Sequence, residues 1–586
     1  MNYNWNLDAL YKSFEDPAFD QDLKQLETTL ATFQAFTKNL NQQDATAALV
    51  KGIGLLEEIN LLVEKLATYA VLRQTADTRD ASVSSRVGQI MNLASAGAAP
   101  EAAFKDWAAK LPDLAQLVQQ QEALRPYQFY FEDLQVSSRY LLPGMGEQIL
   151  AKLQLSGSNA WAELQQFLTS TLTINFRGEE KNLSQLRNLA SDADAAVRKE
   201  AYEAELAAYP RIRDAVAYAL NSIKLETISE CDLRGYESPL ARTLWESHLQ
   251  RSTLEAMLSA MDEYLPKFWK YLQCKAKALG HEKGLPWYDL FAPMGATSTK
   301  FTPESAGEYL SKLFHGFDGD LGSLIDTAFD KQWIDFFPRE GKSGGAFCAE
   351  ASAIGESRIL TNFDGTFSSV VTLAHELGHA FHNQCIFPHR PLNHQYSMPL
   401  AETASTFNEC VVMAAAIKEA ADDAERINLI ESQLQDTTQI ICDIYSRYRF
   451  ETEVFRRRSD EFMDADTLCD MMLSAQKECY GDGLDQQILH PYMWVCKSHY
   501  YGPIFYNFPY AFGGLFARGL YARYEQEGAD FLPKYKKLLY TTTIATAEET
   551  AKVAGIDLTD RKFWCDALQT IADQIDLLCQ LLEDQQ

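Results

Sequence analysis

The sequence lacks the features of a membrane-spanning, fibrous or disordered protein. It contains no stretch of about eighteen apolar residues without a charge, so no transmembrane helix is predicted. Glycine and proline are sparse, at 30 and 19 of 586 residues, whereas 46% of the residues are hydrophobic and 12% are aromatic. A chain of this composition can bury a large core, and its length predicts about two to four domain-sized lobes.

Positive charge is also scarce. The chain has 53 Lys and Arg residues against 81 Asp and Glu residues, which gives a formal net charge of −28. Basic residues cluster only briefly, at 456–458 and 534–537, where a solvent-exposed helix face is the simpler interpretation. Because a phosphate backbone would be repelled by such a surface, we expect no nucleic-acid partner.

The sequence shows no export signal and no cysteine framework. Residues 1–8 contain neither a basic n-region nor an apolar h-region. The 11 cysteines, an odd number, lie between Cys231 and Cys579 and form no CxxC pair. This usage is typical of reduced thiols in a cytoplasmic protein, so we expect cytoplasmic localisation and no disulfides.

Helical periodicity dominates the sequence. Apolar residues at three- and four-residue spacings, as in residues 23–33, predict long amphipathic helices packed as hairpins. Residues 172–178 alternate like a short strand that ends in a turn, and residues 341–363 combine a glycine-rich segment with a β-prone one. Ser191 is a candidate helix N-cap. The predicted class is mostly α, with a small sheet beside a helix that begins near Ser368.

The most specific motif is TLAHELGHAFH at residues 372–382. On an α-helix, residues four apart face the same way on adjacent turns, so His375 and His379 can bind one metal ion. Catalytic zinc takes three protein ligands, among them neutral imidazoles, and keeps one position for water. Glu376 can accept a proton from that water. The alternative is a helix that carries two His and one Glu by chance, at about 0.01 occurrences per such chain.

A third ligand is expected on a neighbouring element. Glu402 opens a predicted helix 23 residues after His379, among small and apolar residues where a carboxylate most needs a cation. Glu409 lies two turns further along the same face and is better suited to supporting a ligand. His382 shares a face with His375 but stands about 10 Å along the helix, so we predict that it packs in the core or supports a ligand instead of binding the metal.

Residues 499–514, HYYGPIFYNFPYAFGG, form a second cluster. Tyrosine hydroxyl and imidazole N–H groups are neutral donors that stabilise the oxyanion formed in peptide hydrolysis. An aromatic run, however, is more often part of a hydrophobic core. From the residues alone, both interpretations stay open.

Taken in order, these segments closely resemble the oligoendopeptidase F branch of the thimet-oligopeptidase metallopeptidase family. The resemblance rests on GKSGGAF (341–347), TLAHELGHAFH (372–382), PLAETASTFNE (399–409) and the 499–514 segment. It covers nearly the whole chain, with a helical amino-terminal region at 1–195 and a catalytic region at 196–586. It implies a two-lobed helical shell around a deep substrate channel that admits short unstructured peptides and excludes folded proteins.

The resemblance also implies roles for individual residues. His375, His379 and Glu402 match the ligands of one zinc ion per chain, and Glu376 matches the general base. Thr406 stands where a neighbouring clan has an aspartate, so this segment does not assign the carboxylate that supports a zinc-bound histidine.

Further residues match the family's substrate site. His499 and Tyr506 match the substrate and oxyanion donors, and Tyr510 is a further candidate. Substrate backbone is expected to add to an edge strand. In this binding mode, recognition depends on main-chain hydrogen bonds more than on side chains. The residues that match this strand are Gly344, Gly345, Ala346 and Phe347.

We therefore expect a zinc oligoendopeptidase that hydrolyses internal bonds of short peptides, with Glu376 as the base that activates water. One alternative is a zinc carboxypeptidase with the same HExxH chemistry, which would need a basic anchor for the substrate's terminal carboxylate. Another is an inactive peptide-binding protein, although all of the proposed ligands and the base are present.

Overall fold

The computed structural model describes residues 3–295 and 300–584. The fold is 72% helical with two small sheets, which confirms the predicted mostly-α class. Within the described residues, no helix combines the length and the apolar content needed to cross a membrane.

The helices follow one another along the chain, joined by loops, short 3₁₀ turns and a few strands. Those of the first half are α1 (Pro17–Thr37), α2 (Ala45–Ala76), α3 (Ala81–Ser95), α4 (Ala98–Ala109), α5 (Leu114–Gln120), α6 (Gln128–Ser137), α7 (Gly146–Gln154), α8 (Ser158–Ser170), α9 (Leu183–Arg187), α10 (Ala195–Ala208), α11 (Arg213–Arg234), α12 (Pro239–Glu246) and α13 (Arg251–Ala278). Those of the second half are α14 (Pro303–Phe317), α15 (Gly319–Asp330), α16 (Phe367–Ile386), α17 (Met398–Ala401), α18 (Thr403–Glu419), α19 (Asp423–Thr438), α20 (Ile444–Arg458), α21 (Ala465–Tyr480), α22 (Met493–Cys496), α23 (Phe508–Glu527), α24 (Leu532–Thr541), α25 (Ala547–Lys552) and α26 (Arg561–Asp584). A π-helical turn, Gln439–Asp443, joins α19 to α20.

The chain forms two compact units, and each is assembled from three separate segments. Unit 1 comprises Met1–Arg139, Ser298–Val412 and Arg523–Gly555; unit 2 comprises Tyr140–Thr297, Met413–Ala522 and Ile556–Gln586. The predicted division between residues 195 and 196 concerns regions of the sequence rather than compact units, and it stays a prediction.

In unit 1 the first helices pack against a three-stranded sheet. The strands β3 (Ile334–Asp335), β4 (Phe347–Ala351) and β5 (Glu356–Leu360) lie in the order β3-β5-β4, with β3 parallel and β4 antiparallel to β5. Leu26 of α1 and Tyr69 of α2 are completely buried and share one core with Leu360 of β5. Helix α16 packs beside the same sheet. The predicted sheet next to the HExxH helix is thus confirmed.

A polar network starts α16 at Phe367, one residue from the predicted start. The Thr366 hydroxyl accepts the Ser369 N–H at 3.3 Å, as an N-cap does. Asp364 Oδ1 accepts hydrogen bonds from the hydroxyls of Ser369 and Thr366 at 2.6 and 2.7 Å. These hydrogen bonds lower the pKa of Asp364 to about 2. The start of the helix that carries the HExxH motif is therefore well defined.

Unit 2 contains the predicted strand and turn, and the turn leads into a second strand that was not predicted. Strands β1 (Thr173–Phe176) and β2 (Glu179–Asn182) pair antiparallel around Arg177 and Gly178, which have φ of 52° and 87°. Two positive φ values match the tight turns that suit the twist of a hairpin. The prediction that Ser191 caps the next helix is wrong by three residues, because Asp194 accepts the Ala196 N–H at 2.8 Å and α10 begins after it.

A disulfide joins Cys274 of α13 to Cys579 of α26, two helices that pack against each other in unit 2. The expectation of no disulfides is wrong for this pair. The partners are 305 positions apart, so cysteine spacing carried no sign of the bond. The other nine cysteines in the described residues form no disulfide.

Candidate active site

Three atoms that could bind a metal ion meet in unit 1. Nε2 of His375 and Nε2 of His379 lie 3.2 Å apart, and Oε2 of Glu402 lies 3.3 and 3.4 Å from them. Atoms bonded to one tetrahedral zinc ion at about 2.0–2.1 Å stand about 3.3 Å from one another. Two imidazoles and a carboxylate are also a donor set found in catalytic zinc sites. The residues brought together here therefore fit a zinc ion.

Close approach of two helices creates this arrangement. Glu402 lies in the turn between α17 and α18, one residue before α18 rather than inside its first turn. Gly378, within the HExxH motif, faces this turn, and a Cβ there would come within 2.6 Å of the Ala404 carbonyl oxygen. Asn408 of α18 donates to the Ala374 carbonyl at 3.1 Å. Glycine at 378 thus lets the backbone that carries Glu402 lie against α16.

Glu409 orients the first histidine. Its Oε1 lies 2.6 Å from Nδ1 of His375, so that the other ring nitrogen, Nε2, faces His379 and Glu402. Burial alone would lower the pKa of His375, but Glu409, Glu402 and Glu376 outweigh it and raise the pKa to about 9. The role predicted for Glu409, the support of a ligand, agrees with this contact.

Glu402 is held in its ionised form. Burial favours the neutral carboxyl, but His379 and His375 and a hydrogen bond from Ser405 together lower the pKa of Glu402 to about 2. The Ser405 hydroxyl donates to Glu402 Oε2 at 2.7 Å. A carboxylate that stays charged at this position is suited to bind a cation.

Glu376 differs from Glu402 in its surroundings. It is only 5% exposed, and burial raises its pKa although His375 and His379 oppose the shift. A carboxyl group with a raised pKa is a better proton acceptor than an ordinary one. Its environment is therefore suited to proton transfer.

His382 is outside the cluster formed by His375, His379 and Glu402, and it is completely buried. Its ring stacks on Tyr396 with centroids 4.5 Å apart, and its Nε2 lies 2.8 Å from the Thr542 hydroxyl. Burial, followed by repulsion from His379, lowers its pKa to about 3. Of the two predicted roles, these contacts favour packing.

The glycine-rich segment leads into the edge strand of the sheet. Phe347 is the first residue of β4, whereas Gly344, Gly345 and Ala346 precede the strand. The Asn362 side chain donates to the Ser343 and Gly345 carbonyls at 3.0 and 2.8 Å and holds this segment. Among the described residues, no strand pairs with the outer side of β4.

Unit 2 brings His499, Tyr506 and Tyr510 together. The ring centroid of His499 lies 5.4 Å from that of Tyr506 and 5.8 Å from that of Tyr510, and the tyrosine rings meet edge to face at 5.5 Å. All three side chains are partly exposed. The three side chains therefore form one partly exposed cluster. The aromatic sequence alone did not show that they lie together.

Sequence reasoning missed Arg447. Its Nη1 lies 3.1 Å from Nδ1 of His499, and its guanidinium is paired with Asp443. Burial, followed by the positive charges of Arg447 and Lys497, lowers the pKa of His499 to about 4. Because 52 positions separate Arg447 from His499, no local pattern could reveal the contact.

The residue before Tyr506 adopts a left-handed backbone conformation. Phe505 has a φ of 51°, which costs a non-glycine residue of order 1–3 kcal/mol. Glu451 stabilises this turn by accepting the Phe505 N–H at 3.3 Å and the Asn507 side-chain N–H at 2.6 Å. Glu451 itself is 1% exposed and is paired with Lys224 at 2.6 Å. A buried ion pair therefore sets the backbone direction at Tyr506.

Two family models match the sequence. The model of Peptidase family M3 matches residues 188–570, and the model described as Oligopeptidase F matches residues 98–174. A curated relative, the oligoendopeptidase F homolog of Lactococcus lactis subsp. lactis (strain IL1403), is 23% identical over 594 residues that cover 99% of this chain and 97% of the relative.

Solved structures share the fold. A crystal structure of a Chlamydophila abortus protein has a TM-score of 0.84 at 21% identity and covers 99% of this chain and 98% of its own. The oligoendopeptidase-F of Enterococcus faecium has a TM-score of 0.71 at 18% identity and covers 97% of this chain and 99% of its own. The similarity therefore extends over the whole length of both proteins.

Proposed function

Because the chain belongs to peptidase family M3 and is a metalloendopeptidase, we propose that it is a zinc-dependent oligoendopeptidase that hydrolyses internal bonds of short unstructured peptides. The observation that carries this proposal is the spacing of 3.2–3.4 Å among the ligand atoms of His375, His379 and Glu402. We assign these residues as the ligands of one zinc ion per chain.

Glu376 is the proposed general base. When bound, zinc supplies Lewis-acid polarisation, which lowers the pKa of water to about 7. Glu376 takes a proton from the attacking water and returns it to the leaving amine. Its burial and raised pKa support this role. Glu409 holds His375 by its Nδ1, so that Nε2 is left for the metal.

His499, Tyr506 and Tyr510 are the proposed donors to the substrate and to the developing oxyanion. Their support is the match to the family motif and their mutual arrangement within unit 2. The segment Gly344, Gly345, Ala346 and Phe347 is the proposed site to which substrate backbone adds. The position of Phe347 at the start of the edge strand β4 supports this assignment.

The alternatives predict different products. A carboxypeptidase would require a free terminal carboxylate on its substrate, whereas the relative's name, oligoendopeptidase F homolog, favours internal cleavage. An inactive peptide-binding protein would have no use for a buried glutamate beside the metal ligands. The cytoplasmic localisation and the lack of a nucleic-acid partner stay predictions of the sequence.

One experiment separates these functions. Metal content is measured on the purified full chain, together with cleavage of a peptide that is acetylated at one end and amidated at the other. We expect one zinc per chain, cleavage at an internal bond, loss of cleavage with a chelator and recovery with zinc. A peptide of the same sequence with free ends is assayed alongside. Stepwise removal of carboxyl-terminal residues from this peptide, with no cleavage of the blocked one, would indicate a carboxypeptidase. Binding without cleavage of either peptide would indicate a binding protein.

A further inference from the structure

The contact between Arg447 and His499 decides which ring nitrogen of His499 carries hydrogen. A guanidinium group has five N–H donors and no acceptor, and it is always protonated. Nη1 of Arg447 lies 3.1 Å from Nδ1 of His499. A nitrogen that receives this hydrogen bond must offer its lone pair. The neutral imidazole therefore carries its hydrogen on Nε2.

The guanidinium is itself held in place. Arg447 is 6% exposed and Asp443 is 2% exposed, and the two form an ion pair one turn apart. Asp443 is the last residue of the π-helical turn that joins α19 to α20. Such turns are rare and often occur at functional sites, because they reset the direction of side chains along a helix. A buried, paired arginine has little freedom to leave its hydrogen-bonding partner.

We propose that Asp443 and Arg447 act as a positioning pair that keeps His499 in the tautomer with hydrogen on Nε2, so that the ring presents a neutral donor to the substrate. The proposal rests on the proposed function for the part that concerns substrate. Arg447 is a positioning residue and not a catalytic residue, since it acts through His499.

Two properties of the ring follow from this arrangement. A cationic donor on Nδ1 withdraws electron density and strengthens the Nε2–H group as a donor. The charged groups that face His499 are Arg447, Lys497 and Asp443, and Tyr506 and Tyr510 provide the neighbouring rings. Burial, followed by the charges of Arg447 and Lys497, lowers the pKa of His499 to about 4, so the imidazole stays neutral at physiological pH.

The tautomer can be read directly by NMR. The full-length, zinc-loaded chain is prepared with ¹⁵N in its histidine rings, and the signals of His499 among the ten histidines are identified by their loss in His499→Gln. Protonated and unprotonated ring nitrogens have well-separated shifts. We expect Nε2 of His499 to carry hydrogen and Nδ1 to carry none at neutral pH. A hydrogen on Nδ1 in the native protein would overturn the proposal.

Variants test the role of the pair. Arg447→Met removes the donor and should release the tautomer, move the pKa of His499 upward from about 4 and lower kcat about 10- to 100-fold with little change in KM. Arg447→Lys keeps a cationic donor and should restore the tautomer and part of kcat. Because Arg447→Met leaves Asp443 buried and unpaired, the double variant Asp443→Asn with Arg447→Met is measured alongside. It should reproduce the NMR change without the unpaired charge.

Arg449→Met is the matched control. Arg449 lies on the same helix, and its guanidinium pairs with Asp262 and Glu478 rather than with His499. It should leave the His499 signals and kcat unchanged. If Arg447→Met and the double variant also leave them unchanged, the proposal is wrong. The NMR measurement needs no substrate. It therefore tests whether Asp443 and Arg447 fix the tautomer of His499 even if the blocked peptide is not cleaved and the proposed function is wrong.

Discussion

Oε1 of Glu409 lies 2.6 Å from Nδ1 of His375, although the two residues stand 34 positions apart on different helices. A carboxylate on the outer nitrogen of a metal-binding histidine fixes the ring and raises its basicity as a ligand. The contact links the helix that follows Glu402 to the HExxH helix.

Glu409→Gln should weaken zinc binding about 10- to 100-fold, because a neutral amide replaces the carboxylate that holds His375. Zinc affinity is measured by competition with a chelator of known affinity. Glu419→Gln, an exposed change at the end of the same helix, is the control and should bind zinc normally. Equal affinities for the two variants would remove Glu409 from the metal site.

Glu376→Gln should affect turnover and not zinc binding. The variant keeps all three proposed ligands, so it should retain one zinc per chain while kcat falls about 10²- to 10⁴-fold. Metal content and turnover are measured on the same preparation. Turnover close to that of the native protein would exclude Glu376 as the base.

Tyr506→Phe should lower kcat by up to about 10²-fold and change KM less, because an oxyanion donor acts mainly in the transition state. Tyr501→Phe is the matched control, since the buried Tyr501 hydroxyl donates to the Trp494 carbonyl at 2.8 Å. The control should lose about 1 kcal/mol of stability and keep its kcat. A native kcat in Tyr506→Phe would shift attention to His499 and Tyr510.

Lys224→Met should reduce the free energy of unfolding by about 3–5 kcal/mol, because it leaves Glu451 buried without its partner. It should also lower kcat, since Glu451 holds the left-handed backbone at Phe505. Lys199→Met breaks an exposed pair with Glu203 in the same unit and should cost less than about 1 kcal/mol. Denaturant unfolding and turnover are measured for both variants, and equal losses would contradict the assignment.

Asp364 should make stability depend on pH. Its pKa is about 2 in the folded protein against an ordinary value of 3.8, so its contribution is complete above pH 3.8 and disappears as the pH falls through 2. The difference in unfolding free energy between the native protein and Asp364→Asn should be constant near neutral pH and shrink below pH 3.8. A difference that stays constant down to pH 2 would show that the network around Ser369 does not hold the carboxylate.

Short sequence motifs were sufficient to predict part of the fold and part of the candidate site. The HExxH helix was predictable because its two histidines are spaced by one helical turn in an otherwise apolar segment. The strand at Thr173–Phe176 was predictable because its alternation ends at a turn. Glu402 was chosen as a candidate ligand because a carboxylate among apolar residues needs a cation.

The remaining features depend on contacts between distant segments. Arg447 meets His499 across 52 positions, and Cys274 meets Cys579 across 305. Nothing in the residues around Phe505 signals a left-handed backbone, since phenylalanine does not favour it and the buried Glu451 enforces it. Such features are set by packing and not by periodicity or spacing.

The interleaving of the two units matters for synthesis on the ribosome. Domains of contiguous sequence fold one after another as the chain emerges. Here the first unit is complete only after Arg523–Gly555, and the second only after Ile556–Gln586. The faces of α1 and α2 that share a core with Leu360 of β5 are made hundreds of residues before that strand, so we expect them to stay exposed in the newly made chain until the strand emerges.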